Sequence, residues 1–311
     1  MIIDWMAFSV TEKPDVVLAY LKSRLTCVWD IKNYTPGKHT KTHICGGVTV
    51  YTDAPYNDDS IRLTVSGQGC RELEQGGLVS SWPDFLSMML DAGARFTRLD
   101  VALDDKSGLL DMDTIFRHCD EGLLTSRYNL TNQNKGKDTF GGLQGKTATF
   151  GTRGSATYIR IYDKALKENV SSHWVRVEFE ARDKRAQALA EAIVKRGAGI
   201  VPPTMLNYLR FRERGTTGRK DRWPTASWWK GFLETENSFR LSVASRDENT
   251  DRSLQWLLRV VGPTFARYYA TKGEALVEEM LEQGRRRSSG EIRTSLSPHG
   301  DKSGVDLVAV S

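Results

Sequence analysis

Three stretches near the middle of the chain alternate apolar and charged residues with the two-residue period of a β-strand. In Thr97–Asp104, one face carries Arg98, Asp100, Ala102 and Asp104, while Thr97, Leu99, Val101 and Leu103 point the other way. In Tyr158–Lys164, Tyr158, Arg160, Tyr162 and Lys164 lie opposite Ile159 and Ile161. In His173–Glu180, Trp174, Arg176, Glu178 and Glu180 lie opposite Val175, Val177 and Phe179. Each strand is half core and half polar, as in an antiparallel sheet with one wet face.

The remaining periodicities are arranged around these strands. Met1–Val10 reads as a strand and Asp15–Leu25 as a helix. His43–Tyr51 and Ile61–Ser66 read as two extended runs whose polar Asp/Asn/Pro connection suggests a hairpin. Ser81 stands as an N-cap, with Pro83 in the first turn, before Trp82, Phe85, Leu86, Met89 and Leu90 at helical spacing. A second series has a similar order: strand Thr97–Leu103, helix Asp111–Leu123, hairpin Thr147–Asp163, strand Trp174–Ala181, helix Lys184–Arg196. The fold class expected is α+β, with mainly antiparallel sheets in two related halves, 1–93 and 94–200, and packed helices. The two copies share no evident residues, and strand order stays open.

From Pro202 the character changes to a basic, tryptophan-containing, helical region over 201–283, and from 284 the lack of apolar periodicity suggests a flexible tail. Arg210, Arg212, Arg214, Arg219, Lys220 and Arg222 crowd one stretch beside Trp223, Trp228 and Trp229. Such cations suit phosphate contacts with double-stranded DNA, although on most proteins they simply solvate a surface. The tryptophans read as core of that region. The 44 Lys and Arg against 39 Asp and Glu give a net charge of only +5, so placement matters more than amount.

Neither a run of roughly 18 apolar residues nor a signal-peptide start is evident, so no membrane association and a cytoplasmic location are expected. The four cysteines, Cys27, Cys45, Cys70 and Cys119, form no C-x-x-C pair and read as reduced thiols. Ser66-Gly-Gln-Gly69 lacks a dinucleotide fingerprint, so no nucleotide cofactor is expected there; its glycines permit a turn or a close approach to a phosphate. His39 and His43 read as loop residues ahead of metal ligands, and His173 as a hydrogen-bonded or exposed histidine.

The polar faces of the three central strands hold an inventory suited to a phosphodiester. Carboxylate oxygens are hard ligands for Mg²⁺ or Mn²⁺, and a phenol can attack phosphorus. Lys164 or Arg160 would stabilise the developing charge or lower the pKa of the tyrosine. Arg and Glu ladders on an ordinary wet sheet would give the same pattern, and the residues alone do not separate the two.

Thr149-Phe-Gly-Thr-Arg-Gly-Ser-Ala-Thr-Tyr-Ile-Arg-Ile-Tyr162-Asp-Lys164, followed by Trp174-Val-Arg-Val-Glu178, resembles the core of the Rep_trans family. That family comprises rolling-circle replication initiators of plasmids and filamentous phages and related relaxases of conjugative elements. Arg98–Asp104 looks like its acidic strand, Ser66–Arg71 like its glycine turn and Trp256–Thr264 like its C-terminal segment, so the similarity spans about Ile2 to Tyr269. The resemblance implies metal-dependent nicking and rejoining of one DNA strand at an origin, with Tyr162 as nucleophile and Asp100 and Glu178 as metal ligands. Asp104 and Lys164 are second-line assignments, and Tyr158 is the rival nucleophile. It further implies double-stranded origin DNA and its nicked strand as partners, a host helicase and a homodimer. Alternatives are a relaxase acting at a transfer origin and a noncatalytic origin-binding protein of the same fold. Residues 126–145 align with no motif.

Overall fold

The computed structural model describes residues 1–25, 27–33, 41–52, 60–137, 139, 142–235, 237–241 and 262–295. The chain forms two compact units, Met1–Val243 and Ala244–Ser311. In the first, ten strands make one antiparallel sheet. They are β1 (Ile2–Val10), β2 (Asp30–Lys32), β3 (Lys41–Cys45), β4 (Val48–Thr52), β5 (Ile61–Val65), β6 (Ala94–Asp105), β8 (Thr131–Lys137), β9 (Leu143–Phe150), β10 (Thr157–Asp163) and β11 (Val175–Arg182). Their spatial order is β2-β3-β4-β5-β1-β6-β11-β10-β9-β8. Strands before residue 94 fill one side of the sheet and those after it the other, meeting where β1 pairs with β6.

Helices α1 (Pro14–Arg24), α2 (Gly67–Gln75), α3 (Trp82–Asp91), α4 (Met112–Asp120) and α6 (Lys184–Arg196) bury apolar stripes in one cluster with the sheet's inner face. Phe8 of β1 packs on Phe96 of β6 with ring centroids 5.0 Å apart, which carries the core across the junction of the two halves. Fully burying side chains of this size contributes roughly 1.5–3 kcal/mol each. Two of the helix starts are capped as their sequences suggest. Ser81 Oγ accepts from the Asp84 amide, and Asp111 Oδ2 accepts from the Thr114 amide.

Residues 201–243 belong to the first unit. They contain α7 (Val201–Tyr208), β12 (Leu209–Phe211) and α8 (Ser227–Leu233), and β12 pairs with β7 (Leu124–Ser126) in a separate two-stranded ladder. Phe211 and Trp229 are fully buried, and Phe211 meets Phe150 of β9 at 5.9 Å. The Trp229 indole donates to the Leu209 carbonyl, so its polar atom is satisfied inside the core.

Four expectations are corrected. His43–Tyr51 is a hairpin in itself, β3 turning into β4, because Gly46 adopts φ +55 and Gly47 completes a two-residue turn. The Ser66–Arg71 glycine motif opens α2 instead of forming a free turn: Ser66 caps the helix, and Gly69 lies so close to the Gly47 carbonyl that a Cβ would collide. Cys27 and Cys45 are bonded as a disulfide, their Cα atoms 5.8 Å apart, while Cys70 and Cys119 remain thiols. In the second unit, α9 (Gly262–Lys272) is followed by α10 (Glu274–Ser295), so helical backbone extends through the residues read as the start of a flexible tail. Residues 296–311 lie outside the described residues, as do His39, most of Trp256–Thr264 and parts of 126–145.

Candidate active site

The sheet order makes β6, β11 and β10 immediate neighbours, and their registers bring the polar faces together. Glu178 stands opposite Arg160 on one side and Ala102 on the other; Arg176 stands opposite Tyr162 and Asp104; Glu180 stands opposite Tyr158 and Asp100. The face is covered to an unusual degree for charged residues. Asp100 is 7%, Glu178 6%, Arg176 6% and Tyr162 5% exposed. Charges taken from water to this extent must be paired and hydrogen-bonded.

The pairing is continuous. The Tyr162 hydroxyl donates to Glu178 Oε1 at 2.6 Å. Arg160 grips the other oxygen of Glu178 through Nε and Nη2 and lies over the Tyr162 ring, 5.0 Å from its centroid. Arg176 holds Asp104 with two bonds, at 2.6 and 2.8 Å, and reaches Asp4 of β1 at 2.7 Å. Arg98 forks onto Asp100 at 3.0 and 2.6 Å and touches Glu180 at 3.0 Å. Arg182 completes the row on Glu180 at 2.5 Å.

This environment sets protonation. Burial, then the Glu178 charge and the hydrogen bond to it, raise the pKa of Tyr162 far above the ordinary phenol range, against the opposing pull of Arg176 and Arg160. Arg160 does pull the phenol downward, as expected of a nearby cation, but burial and Glu178 outweigh it. The Tyr162 proton has an acceptor in place instead. Asp100 is pushed up to about 7, chiefly by burial, with Arg98 opposing and Glu180 and Glu178 adding to the rise. Asp4 is raised as well, by burial and then by Glu178, with which it shares a hydrogen bond.

Asp4 is the residue that sequence reasoning missed. Ile3 pairs with Val101 and Trp5 with Asp100, which leaves Asp4 as the extra residue of a β-bulge. The bulge turns an acid from an otherwise apolar strand toward Arg176 and Glu178. Its signal was visible as the broken alternation in Ile2-Ile-Asp-Trp-Met6.

Lys164 is displaced from its expected place on the strand. Asp163 accepts from the Leu166 amide and starts α5 (Lys164–Glu168), so β10 ends one residue earlier. Lys164 then pairs with Glu168 at 3.0 Å and lies 4.9 Å from the Trp174 ring centroid, while still acting electrostatically on Asp4. Tyr158 shares the polar face, opposite Glu180. His173 meets Asp105 at 3.1 Å, and His43 meets Thr52 at 3.0 Å.

The donor chemistry fits a hard divalent cation. The Glu178 charge acts unfavourably on both Asp4 and Asp100, a repulsion that a divalent cation among these oxygens would relieve. As they stand, among the described residues, no three carboxylate, histidine or cysteine side chains are grouped to hold an ion. The guanidiniums of Arg98, Arg160 and Arg176 occupy their oxygens.

The basic cluster divides by role. Arg212 is half-buried and braces its loop, bonding Thr125 and the Trp223 carbonyl, and Arg210 bonds Thr225. Arg219 pairs with Asp221, and Lys220 bonds the Gly122 carbonyl. Arg214, Arg219, Lys220 and Arg222 are exposed.

The fold is thus α+β, built on a ten-stranded antiparallel sheet, among the described residues, that carries a phenol, carboxylates and guanidiniums on one protected face. The sequence pattern of the replication initiation factor family, Rep_trans, matches residues 94–282, more than half of the chain, and the chain belongs to that family. It is 27% identical over 230 residues to the Bacillus subtilis (strain 168) protein named "Putative DNA relaxase NicK"; the alignment covers 70% of this chain and 65% of that relative's length. A solved structure, that of a rolling circle replication initiator protein from Geobacillus stearothermophilus, superposes with a TM-score of 0.65 at 25% identity. The superposition covers 78% of this chain and 98% of that one. Among the described residues, no helix is long and apolar enough to cross a membrane.

Proposed function

We propose that this protein nicks and rejoins one DNA strand at a replication origin through a covalent bond to Tyr162. The observation that carries this reading is the 2.6 Å hydrogen bond from the Tyr162 hydroxyl to Glu178 on a protected, arginine-rich face. The phenolic oxygen attacks phosphorus and its proton passes to Glu178; the P–O bond to the departing strand breaks, and the released oxygen takes up a proton. The ester is conserved, so the reverse sequence rejoins the strand. Arg160, stacked on the nucleophile's ring, faces the charge that develops on the phosphate.

Mg²⁺ or Mn²⁺ would be held by Asp100 and Glu178, with Asp4 beside them. Bound there, it would polarise a nonbridging phosphate oxygen. Asp104, held by Arg176, positions that guanidinium beside Tyr162. The exposed Arg214, Arg219, Lys220 and Arg222 contact phosphates of double-stranded origin DNA, whereas Arg210 and Arg212 shape the loop that carries them. A host helicase and a second copy of the chain are the protein partners under this reading.

A supercoiled-plasmid assay tests it: wild-type protein converts plasmid to a nicked form and leaves a covalent adduct, both lost in Tyr162→Phe and in excess chelator. Unaltered nicking by Tyr162→Phe sinks the nucleophile, and full activity in chelator sinks the metal. The relative named as a DNA relaxase favours a second reading, the same chemistry at a transfer origin. Nicking of plasmids carrying one origin type or the other separates the two.

A further inference from the structure

A polar cavity of about 430 Å³ opens at the turn between β9 and β10. Thr157, which lines it, shares the inner side of β10 with Ile159 and Ile161, whereas Tyr162 lies five residues on and faces the other way. At about 3.3 Å per residue the two are roughly 16 Å apart along the strand. The cavity is therefore separate from the phenol–carboxylate face.

Three arginines, Arg127, Arg185 and Arg240, line this cavity, and among the described residues no acidic side chain does. All three act on the Tyr208 phenol between them, each opposing the rise that burial imposes on it. Arg127 and Arg185 are held by neutral groups: Arg127 bonds the Asn207 carbonyl at 3.1 Å and the Asn207 side-chain oxygen at 3.2 Å, and Arg185 bonds the Leu241 carbonyl at 2.6 Å. Among the described residues, none of the three forms an ion pair. Arg127 and Arg185 are thus held in place without a carboxylate among the described residues, the reverse of the catalytic face, where every guanidinium has its carboxylate, and Arg240 adds a third, exposed cation. Tyr128 and Tyr208 stack with centroids 6.0 Å apart beside them, and the Thr152 and Ser155 hydroxyls add donors at the rim.

We propose that this cavity binds a nucleotide-sized phosphate ester, its phosphate gripped by Arg127, Arg185 and Arg240 and its base or sugar set against the tyrosine pair. Guanidiniums match phosphate geometry, and the volume lies in the range of small-molecule sites. The ester comes either from a free nucleotide or from the phosphorylated end of a DNA strand.

The test uses the full chain, wild type and Tyr162→Phe, with calorimetry for inorganic phosphate and deoxyadenosine monophosphate. Anisotropy compares a short labelled oligonucleotide bearing a 5′-phosphate with its 5′-hydroxyl twin. The expected result is binding of the monophosphate by both proteins, weakened about tenfold by Arg185→Gln and by Arg240→Gln, with plasmid nicking unchanged. Circular dichroism checks the fold. Arg240 is exposed, so its variant carries the test if Arg185→Gln unfolds. A tenfold preference for the 5′-phosphate that Arg240→Gln abolishes identifies a strand end as the source. Equal binding of the two oligonucleotides identifies a free nucleotide. Binding of phosphate, monophosphate and phosphorylated oligonucleotide that is absent, or indifferent to both substitutions, overturns the proposal. Loss of nicking in Tyr162→Phe with monophosphate binding intact keeps this inference distinct from the nucleophile assignment.

Discussion

The two sides of the sheet repeat one layout and differ in their acids. On the second side Tyr162 stands opposite Arg176, which stands opposite Asp104; on the first, Tyr51 stands opposite Arg62, which stands opposite Ser9. Glu178 lies between Arg160 and Ala102, and in the corresponding register Thr64 lies between Thr49 and Ala7. A tyrosine beside an arginine thus occurs on both halves, whereas carboxylates at these registers occur only on the second. The family match begins at Ala94, the first residue of that second half. Scaffold is shared; the buried carboxylates, Glu178 with the Tyr162 hydroxyl among them, are what make one side a candidate active site. The first half contributes one acid to that side, Asp4, through its bulge.

Substituting the equivalent tyrosines breaks or sharpens this comparison most directly. Tyr162→Phe is expected to abolish nicking and the covalent adduct, while Tyr51→Phe retains both. Glu178→Thr, which installs the first-half residue, is expected to lower the nicking rate by about 10²–10⁴, the usual share of a positioned proton acceptor. Gel assays of plasmid nicking at matched protein concentrations read all three. Equal losses in Tyr51→Phe and Tyr162→Phe would end the distinction between the halves.

The core offers a second comparison. On the second half, Phe150 is covered by Phe211, itself packed on Trp229 at 5.1 Å; on the first, α3 supplies the fully buried Leu86. Trp229→Ala is expected to cost about 3–5 kcal/mol and Leu86→Ala about 2–5 kcal/mol. Because β1 and β6 join the halves in one ladder, both should lower the midpoint of a single calorimetric transition. Two separated transitions in Trp229→Ala would show that the residue 201–241 segment and its half melt on their own.

How much of this was legible follows from the range of each interaction. Helix Lys184–Arg196 is legible to the residue and the cap Ser81 from its neighbours, whereas Asp111, read as the first helical residue, is the cap of a helix that runs Met112–Asp120. The polar alternation placed Asp100, Arg160, Tyr162 and Glu178 on strand faces correctly, because side-chain period is local. That these faces adjoin is not legible, since β6 and β11 are paired across seventy or more residues. The turn at Gly46-Gly47 carries its own signal, but it is masked by flanking residues that read as one continuous extended run. Asp4 required a bulge, which depends on the partner strand. Lys164 was misplaced because Asp163 acts through its side chain as a cap, a competition that alternation does not register.

The smallest effects come from two of the helix caps, one taken from each half. Ser81 Oγ meets the Asp84 amide at 3.4 Å, a long bond, whereas Asp111 meets the Thr114 amide at 2.8 Å with a carboxylate at the positive end of α4. Ser81→Ala should therefore cost about 0.5 kcal/mol and Asp111→Ala about 1 kcal/mol. Only the second depends on pH. Burial acts to raise the Asp111 pKa, but the Thr114 amide and hydroxyl, the Asp113 amide and Lys146 outweigh it, and the value is lowered. A carboxyl whose folded pKa is depressed contributes its stability above the ordinary value, about 3.9, and loses it as pH falls through the folded one. Denaturant titrations at pH 7 and at about pH 3 should then show the Asp111→Ala penalty shrinking in acid while that of Ser81→Ala stays constant. A constant Asp111→Ala penalty would mean that the side chain serves by shape and hydrogen bonding alone, without its charge.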